Sequence, residues 1–214
     1  MKFETLNGYV PAVLVTLNES ESVFAEHGIM LYKDQSVTVG RRSIGGNFLE
    51  KMERKGLGDI PFIVAEFKGP GSVAFSRDGK GEIRDIEIPA GVTMDVAEGS
   101  LLCATDSIKY DMYYIKGTMR LGRMVGRWMD RLTGPGTAVI HGYGNIISFN
   151  LDNGESIVVD YGALLMKHST VRERTFNQPL GHGLMGHVES FEVLELTGPG
   201  SIMLQSIDPH NETI

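Results

Sequence analysis

The stretch L-T-G-P-G occupies residues 132–136 and occurs again at residues 196–200, and the related F-K-G-P-G occupies residues 67–71. In each copy the proline can set the first central residue of a type II turn, and the glycine after it can adopt the positive φ of the second. The first glycines of the copies are 65 and 64 residues apart, a spacing that predicts an internal repeat. The predicted structural turns comprise Gly69, Pro70, Gly71, Gly134, Pro135, Gly136, Gly198, Pro199 and Gly200.

The residues after each turn repeat as well. Residues 72–76, 137–141 and 201–205 each read as a short strand with alternating apolar side chains. Two apolar positions match in all three copies, namely Val73, Ala138 and Ile202, then Phe75, Ile140 and Leu204. These patterns predict an all-β fold.

Two further elements recur around the turns. A strand, a glycine turn and a second strand are predicted around Gly28, Gly99 and Gly162, and a third strand follows the turn strand at residues 81–88 and 144–151. Residues 9–17 resemble this third strand, so we expect them to close the last repeat. Residues 45–59 contain good helix formers between glycines and predict an inserted helix.

The predicted architecture is therefore a single domain over residues 1–214, built from three pseudo-threefold-related β-sandwich repeats with one or two short inserted helices. The approximate repeats are residues 18–80, 81–143 and 144–206. Each third is too small to bury its own apolar face, so the three should share a core. A two-domain division near Gly117 is the alternative, but no linker-like composition marks a boundary there.

Composition narrows the classes of function. The chain has 214 residues, a formal charge of -7 and a single cysteine, Cys103. The negative charge disfavours binding to nucleic acid, where positive charge dominates affinity. Residues 1–8 lack the features of a signal or transit peptide, and no apolar run approaches the roughly 18 residues of a membrane-spanning helix. We therefore expect a cytoplasmic protein.

Three glycine-punctuated β repeats with G-P-G turns, ending in G-P-G-S-I-M-L-Q-S, resemble the altered-inheritance-of-mitochondria protein 24 family, also called domain of unknown function 124. The resemblance extends from about Glu4 to Ser206. It implies β subdomains related to the tryptophan RNA-binding attenuation protein (TRAP-like) fold, a short double-stranded β-helix variant that tends to form rings. It therefore implies a homo-oligomer. Fungal members are associated with organisation of the mitochondrial inner membrane, a role that we do not transfer because no presequence is recognised here.

A histidine-rich segment is the strongest candidate for a metal site. His182 and His187 lie five residues apart, with His168 upstream, and imidazole is a common zinc ligand. A spacing of five does not place two histidines on one helical face, and interspersed glycines leave them without a regular element. A polar loop before a strand is the preferred interpretation, and we expect no metal or other cofactor.

The segment of residues 118–132 offers a candidate partner surface. Leu121, Met124, Val125 and Trp128 recur at helical spacing, whereas Arg120, Arg123 and Arg127 line another face, as in a basic amphipathic helix that binds anionic lipid or an acidic partner. The repeat register instead aligns residues 127–132 with strands, so any helix should end near Gly126. Core packing with solvated arginines is the competing interpretation.

No catalytic constellation is recognisable in the sequence. Cys103 matches Tyr32 and Met166 in the repeat register, which predicts a buried apolar position, and no G-x-S-x-G motif is present. We therefore expect a non-enzymatic, self-associating β scaffold or binding module, with a protein or peripheral membrane partner as a further hypothesis. The alternative is a cupin-like, metal-dependent enzyme or small-ligand binder that uses His182 and His187.

Overall fold

The chain folds almost entirely into β-strands in a computed structural model that describes residues 1–42, 64–120, 123–182 and 188–208. The strands are β1 (Lys2–Leu6), β2 (Ala12–Leu17), β3 (Ser22–Glu26), β4 (Met30–Lys33), β5 (Thr38–Arg41), β6 (Val64–Lys68), β7 (Gly71–Ser76), β8 (Gly81–Ile88), β9 (Thr93–Ala97), β10 (Leu101–Thr105), β11 (Lys109–Arg120), β12 (Arg123–Thr133), β13 (Gly136–Tyr143), β14 (Ile146–Leu151), β15 (Ser156–Asp160), β16 (Leu164–His168), β17 (Arg172–His182), β18 (Val188–Thr197) and β19 (Gly200–Gln205). A single turn of 3-10 helix, Tyr161–Ala163, precedes β16. The all-β prediction is confirmed.

These strands form four antiparallel sheets. Sheet 1 has the order β1-β2-β7-β4, and sheet 2 has the order β5-β6-β3-β10-β13-β8. Sheet 3 has the order β11-β12-β9-β16-β19-β14, and sheet 4 has the order β15-β18-β17. Sheets 2 and 3 therefore each join strands from distant parts of the chain. In sheet 2, β3 pairs with β10, and in sheet 3, β9 pairs with β16.

Three hydrophobic cores lie between successive sheets. Core 1 lies between sheets 1 and 2, core 2 between sheets 2 and 3, and core 3 between sheets 3 and 4. Because side chains alternate along a strand, one strand of a middle sheet contributes to two cores. In β3, Val23 and Ala25 belong to core 1, and Phe24 belongs to core 2. The apolar alternation in the sequence thus becomes a stack of four layers.

The G-P-G turns differ from the predicted type II geometry. The Gly69-Pro70, Gly134-Pro135 and Gly198-Pro199 bonds are all cis, whereas a type II turn has a trans bond before its proline. The glycine after each proline does have a positive φ, between 129° and 154°. The sequence identified the residues that form the turns, but it did not predict the cis isomer of the bond before each proline.

The first glycine of each turn is required by a close approach of backbone. A Cβ added to Gly134 would lie closer than 3.0 Å to the carbonyl oxygen of Ile88, and a Cβ on Gly69 or Gly198 would meet a carbonyl oxygen in the same way. Each of these glycines also donates its backbone N–H to a neighbouring carbonyl, 2.9 to 3.0 Å away. The repeated sequence therefore reflects a repeated contact between backbones.

The predicted amphipathic helix within residues 118–132 is wrong. Residues 109–120 and 123–133 form the hairpin of β11 and β12, with Arg120 opposite Arg123. Aromatic cross-strand contacts stabilise this arrangement, because Tyr114 lies opposite Trp128 and their ring centroids are 5.2 Å apart. The strand that the repeat register predicted for residues 127–132 is part of β12.

The predicted partner of the N-terminal strand is also wrong. Residues 9–17 were expected to close the last repeat, but β2 pairs with β7 and not with β19. In the same way β8 pairs with β13, and β14 pairs with β19. A strand of this kind therefore begins the segment whose turn strand it pairs with, and residues 9–17 belong with the first turn strand instead of the last.

The helix predicted at residues 45–59 lies outside the described residues. Within the described part of the chain, no helix is long and apolar enough to cross a membrane.

Candidate functional site

The three candidate metal-binding histidines are not shown to form one site. His168 ends β16, and its Nδ1 accepts a hydrogen bond of 3.2 Å from the backbone N–H of Thr170 and lies 2.7 Å from the Thr170 hydroxyl. His182 ends β17, where its backbone pairs with Val188, and His187 lies outside the described residues. No group of three or more histidine, cysteine or acidic side chains suited to a metal ion occurs among the residues that the structure describes.

The three candidate arginines lie on one hairpin but not on one helical face. Arg120 and Arg123 lie opposite each other at the end of the hairpin. Arg127 is buried, donates a 2.7 Å hydrogen bond to the carbonyl oxygen of Tyr161 and lies 5.7 Å from the centroid of that ring. Burial lowers the pKa of this guanidinium, against the effect of nearby Tyr161 and Asp208. Arg127 therefore fixes the hairpin to the 3-10 helix and does not present its charge to a partner.

An ion-pair network joins β9 to β16 inside sheet 3. The Asp95 carboxylate accepts hydrogen bonds from Arg131 Nε at 2.7 Å and from Lys167 Nζ at 3.1 Å, and Lys167 also lies 2.8 Å from Glu173. Tyr113 donates a further bond of 3.1 Å to Asp95. Burial acts to raise the pKa of Asp95, but the bond from Arg131 and the charge of Lys167 outweigh it, so this pKa lies below its usual value. The network holds the two strands together.

A second polar cluster is buried beside core 2. Tyr110 donates a 2.8 Å hydrogen bond to Oδ1 of the fully buried Asp130, whose Oδ2 has no hydrogen-bond partner. Glu26 and Arg77 form an ion pair nearby. Burial, reinforced by the charge of Glu26, raises the pKa of Asp130 well above its usual value. Asp130 is therefore a carboxyl group that the fold keeps neutral far above the ordinary titration range.

His141 and Cys103 are buried on the neighbouring strands β13 and β10 of sheet 2. Burial, together with the charge of Arg77, lowers the pKa of His141, so its imidazole stays neutral at physiological pH. The ring packs edge-on against Tyr143, with centroids 4.9 Å apart. Burial also raises the pKa of the Cys103 thiol, which makes a thiolate nucleophile unfavourable and agrees with the predicted apolar position.

One groove on the surface has the size of a small-ligand site. It encloses about 530 Å³ and is lined by the N-terminal segment, the turn between β7 and β8, and the residues after β19. Tyr9 and Tyr143 provide aromatic surface, and Lys80 Nζ lies 4.5 Å from the centroid of the Tyr9 ring. Asp78 adds an acidic side chain to this lining. The groove thus combines apolar surface with two opposite charges, and among the described residues its lining contains no cysteine, serine or histidine.

Sequence patterns did not identify the buried charged residues. Asp95, Lys167 and Asp130 were not among the candidate site residues of the sequence analysis. Asp95 and Asp130 occupy positions where the other copies of the repeat have apolar residues. Lys167 matches Lys33 in the first copy but Ala104 in the second, so the repeat does not single out a charged pair. Only the strand alternation could have helped, because it places Asp95 and Lys167 within apolar strands.

Comparison with known proteins places the chain among relatives of unestablished function. The family model described as Mitochondrial biogenesis AIM24 matches residues 3–207. The uncharacterized protein M6_Spy0233 of Streptococcus pyogenes serotype M6 is 24% identical over 208 residues, or 92% of this chain and 82% of that protein. The crystal structure of protein SPYM3_0169 from Streptococcus pyogenes is similar with a TM-score of 0.72 at 21% identity, over 98% of this chain and 94% of that one. The structural likeness shows a shared fold.

Proposed function

The chain belongs to the AIM24 family, and on the basis of its layered sheets we propose that it is a non-enzymatic, self-associating β scaffold or binding module. One observation carries this proposal. Sheets 2 and 3 each have six strands, whereas sheet 4 has three, and sheet 1 has three strands besides the N-terminal β1. Sheets 1 and 4 therefore each resemble half of a middle sheet, and a second copy of the chain can supply the other half.

The proposal includes three equivalent units within one domain over residues 1–214. Unit 1 comprises residues 12–76, unit 2 residues 81–143 and unit 3 residues 146–205. In support, the first strand of each unit pairs with its last strand, and the second pairs with the fifth. A pseudo-threefold relation of the units and a TRAP-like, short double-stranded β-helix fold are parts of this proposal that the repeated pairing favours.

Native mass spectrometry of the untagged protein tests self-association. We expect a discrete oligomer at micromolar concentration, without bound metal or small molecule. A monomer across this concentration range would contradict the scaffold. A stoichiometric additional mass would instead support a ligand-binding function, and the groove lined by Tyr9 and Lys80 would then be the first place to substitute.

A membrane or protein partner remains a second prediction. Because Arg127 is bound to Tyr161, a basic patch on the hairpin would depend on Arg120 and Arg123. Liposomes containing anionic lipid test this idea through co-sedimentation. A cytoplasmic location is likewise a prediction from the sequence, and cell fractionation tests it.

The alternative is a metal-dependent enzyme or small-ligand binder that uses His182 and His187. It stays a prediction, together with a contribution from His168, whose ring is bound to Thr170. Metal analysis of protein purified without a histidine tag separates this alternative from the scaffold, because a metal enzyme retains a stoichiometric ion.

A further inference from the structure

We propose that two copies of the chain join head to tail, with β15 of one copy and β4 of the next as adjacent antiparallel strands. This inference rests on the self-association proposed above and specifies its contact. The combined sheet has the order β17-β18-β15-β4-β7-β2-β1. It reproduces the six-stranded arrangement of sheets 2 and 3, with β1 as an added edge strand.

The two internal junctions provide the template for this contact. In sheet 2 the second strand of unit 1, β3, pairs with the third strand of unit 2, β10. In sheet 3 the second strand of unit 2, β9, pairs with the third strand of unit 3, β16. The next pair in the series is the second strand of unit 3, β15, with the third strand of unit 1, β4. Among the described residues both strands are the last of their sheets, so no described strand pairs with their outer edges.

Exposed apolar side chains mark the β4 half of the contact. In each unit the third strand pairs with the last strand. When the three units are aligned by these pairs, Leu31, Leu102 and Leu165 occupy the same position. Leu31 is 59% exposed, whereas Leu102 and Leu165 are fully buried at the internal junctions. Met30 and Tyr32 are exposed as well, although the residues at their positions in units 2 and 3 are buried.

The β15 half shows the same contrast. In each unit the second strand pairs with the fifth strand. When the units are aligned by these pairs, Val158 occupies the position of Phe24 and Asp95. Val158 is 54% exposed, whereas Phe24 and Asp95 are completely buried. An apolar residue on an edge strand without a covering layer is a typical feature of an interface.

The face of sheet 3 beside this edge is also incompletely covered. Ile147 and Phe149 on β14 match Val13 and Val15 on β2. Val13 and Val15 are buried in core 1 together with side chains from β10 and β13, which extend sheet 2 beyond unit 1. Ile147 and Phe149 are exposed, and sheet 4 has no such extension among the described residues. Sheet 1 of a second copy supplies it.

Cores 1 and 2 each include side chains from the third and last strands of the following unit, and core 3 includes no such strands among the described residues. Half of the twelve large exposed apolar side chains among the described residues lie at the proposed contact. They are Met30, Leu31, Tyr32, Ile147, Phe149 and Val158. A single interface thus accounts for side chains from three separate strands.

The internal junctions also define the register. Ala104 lies opposite Phe24, and Lys167 lies opposite Asp95, so Lys33 of one copy lies opposite Val158 of the other. Lys33 Nζ binds the carbonyl of Val37 at 2.8 Å, as Lys167 Nζ binds that of Val171 at 3.0 Å.

The charges beside these strands are complementary. On the far side of Val158, β18 places Glu195 directly opposite it. The contact therefore places Lys33 on the same row of the sheet as Glu195, with Val158 between them, and Glu195 also pairs with Arg174 at 2.9 Å.

The contact is heterologous, because it joins two different edges. Each copy offers one β4 edge and one β15 edge, so the association continues from copy to copy until a ring closes or a filament forms. A symmetric dimer through two β4 edges would leave both β15 edges exposed. This difference gives the interface a direct test.

Engineered disulfides test the register. Cys103 is buried, so new cysteines provide the reactive thiols. Residues directly opposite on antiparallel strands have the separation that a disulfide spans. We expect the double variant Lys33→Cys/Val158→Cys to form chain-to-chain disulfides on mild oxidation, and a mixture of the two single variants to form dimers only.

Lys33→Cys/Asp160→Cys, two residues out of register, is the matched control and should form at most about a tenth as much product. Equal cross-linking in both double variants, or efficient cross-linking of either single variant alone, overturns the proposal.

A second set of variants tests the apolar contact. Leu31→Lys/Val158→Lys should weaken self-association about 100-fold, as expected for loss of central interface residues. Val39→Lys is the control, because Val39 is 50% exposed on β5, away from both edges. Thermal unfolding confirms that the variants fold. If Leu31→Lys/Val158→Lys retains the native oligomer, this interface is wrong while self-association stands. If the native protein is itself monomeric, both proposals fail.

Discussion

Lys167 and Asp95, separated by 72 residues in the sequence, form a buried ion pair in which Nζ lies 3.1 Å from Oδ2. The pair joins β16 to β9 at the junction between units 2 and 3. Both side chains are almost completely removed from solvent, so neither charge can be satisfied by water if its partner is lost.

The first prediction follows from this pair. Asp95→Asn should destabilise the protein by about 3 to 5 kcal/mol, because it leaves the Lys167 and Arg131 cations without their shared carboxylate. Glu4→Gln is the control: Glu4 pairs with Lys2 at the surface, where about 0 to 1 kcal/mol is expected. Urea unfolding measures both.

This contribution has a defined pH dependence. The folded pKa of Asp95 lies below its unfolded value, so its stabilising effect is complete above about pH 3.9 and is lost as the pH falls through the folded pKa. The difference in stability between Asp95→Asn and the native protein should therefore shrink in strong acid. A difference that is constant from pH 7 to pH 2 would argue against an ionised Asp95.

The second prediction concerns Asp130, whose folded pKa is raised instead. Its favourable contribution is present in acid and is lost as the pH rises from about 3.9 through the folded pKa. Asp130→Asn removes this titration and retains an oxygen for the Tyr110 hydroxyl. We expect the variant to be more stable than the native protein at pH 8, because only the native protein loses this contribution as the pH rises.

At pH 4 this advantage of Asp130→Asn should largely disappear, because the carboxyl is protonated in the folded protein and about half protonated in the unfolded chain, so little of the difference between the two states remains. Melting temperatures from pH 4 to pH 8 provide the measurement. A variant that is equally destabilised throughout the range would show that Asp130 is ionised and bound in the native state.

The third prediction concerns the turns. Gly134→Ala should cost about 3 kcal/mol, because the added methyl group collides with backbone carbonyl oxygens of Ile88 and Pro89 that cannot move independently. Gly40→Ala is the control, since an added Cβ at Gly40 meets nothing within 4 Å and a strand gains from losing glycine. Chemical denaturation that ranks these variants equally would contradict the close approach at Gly134.

The fourth prediction compares the buried Arg127 with the two other arginines of the hairpin. Arg127→Glu should destabilise the fold, because it places a carboxylate against the carbonyl of Tyr161 in a buried site. Arg120→Glu/Arg123→Glu, at the end of the hairpin, should lower the melting temperature less than Arg127→Glu does. The same double variant tests the membrane hypothesis, since a protein that binds anionic liposomes through these residues would lose co-sedimentation.

Local strand and turn patterns were largely readable from the sequence. The alternation of Val73 and Phe75 and the glycine after each proline predicted β7 and its preceding turn, and the structure contains both. Each depends on neighbouring residues in the chain. The cis form of the Gly134-Pro135 bond was not readable, because it depends on the packing of that turn against residues 88 and 89.

Long-range pairing was predicted less well. The hairpin of β11 and β12 was mistaken in part for a helix because its apolar residues satisfy both periodicities over a short segment. The partner of β2 was assigned to the wrong end of the chain because β7 and β19 present the same apolar pattern. Asp95 and Lys167 were missed because their pairing exists only once strands 72 residues apart are adjacent.

The junctions between units also bear on how such a chain can change in length. Both internal junctions pair the second strand of one unit with the third strand of the next, so an inserted unit would find strands of the same kind on both sides, although a copy of unit 2 would place Ala104 opposite Asp95 in place of Lys167. A unit cut out alone, such as residues 81–143, would instead expose the outer edges of β9 and β10, and Asp95 would keep its bonds from Arg131 and Tyr113 but lose that from Lys167. The architecture therefore allows growth by whole modules while penalising fragments.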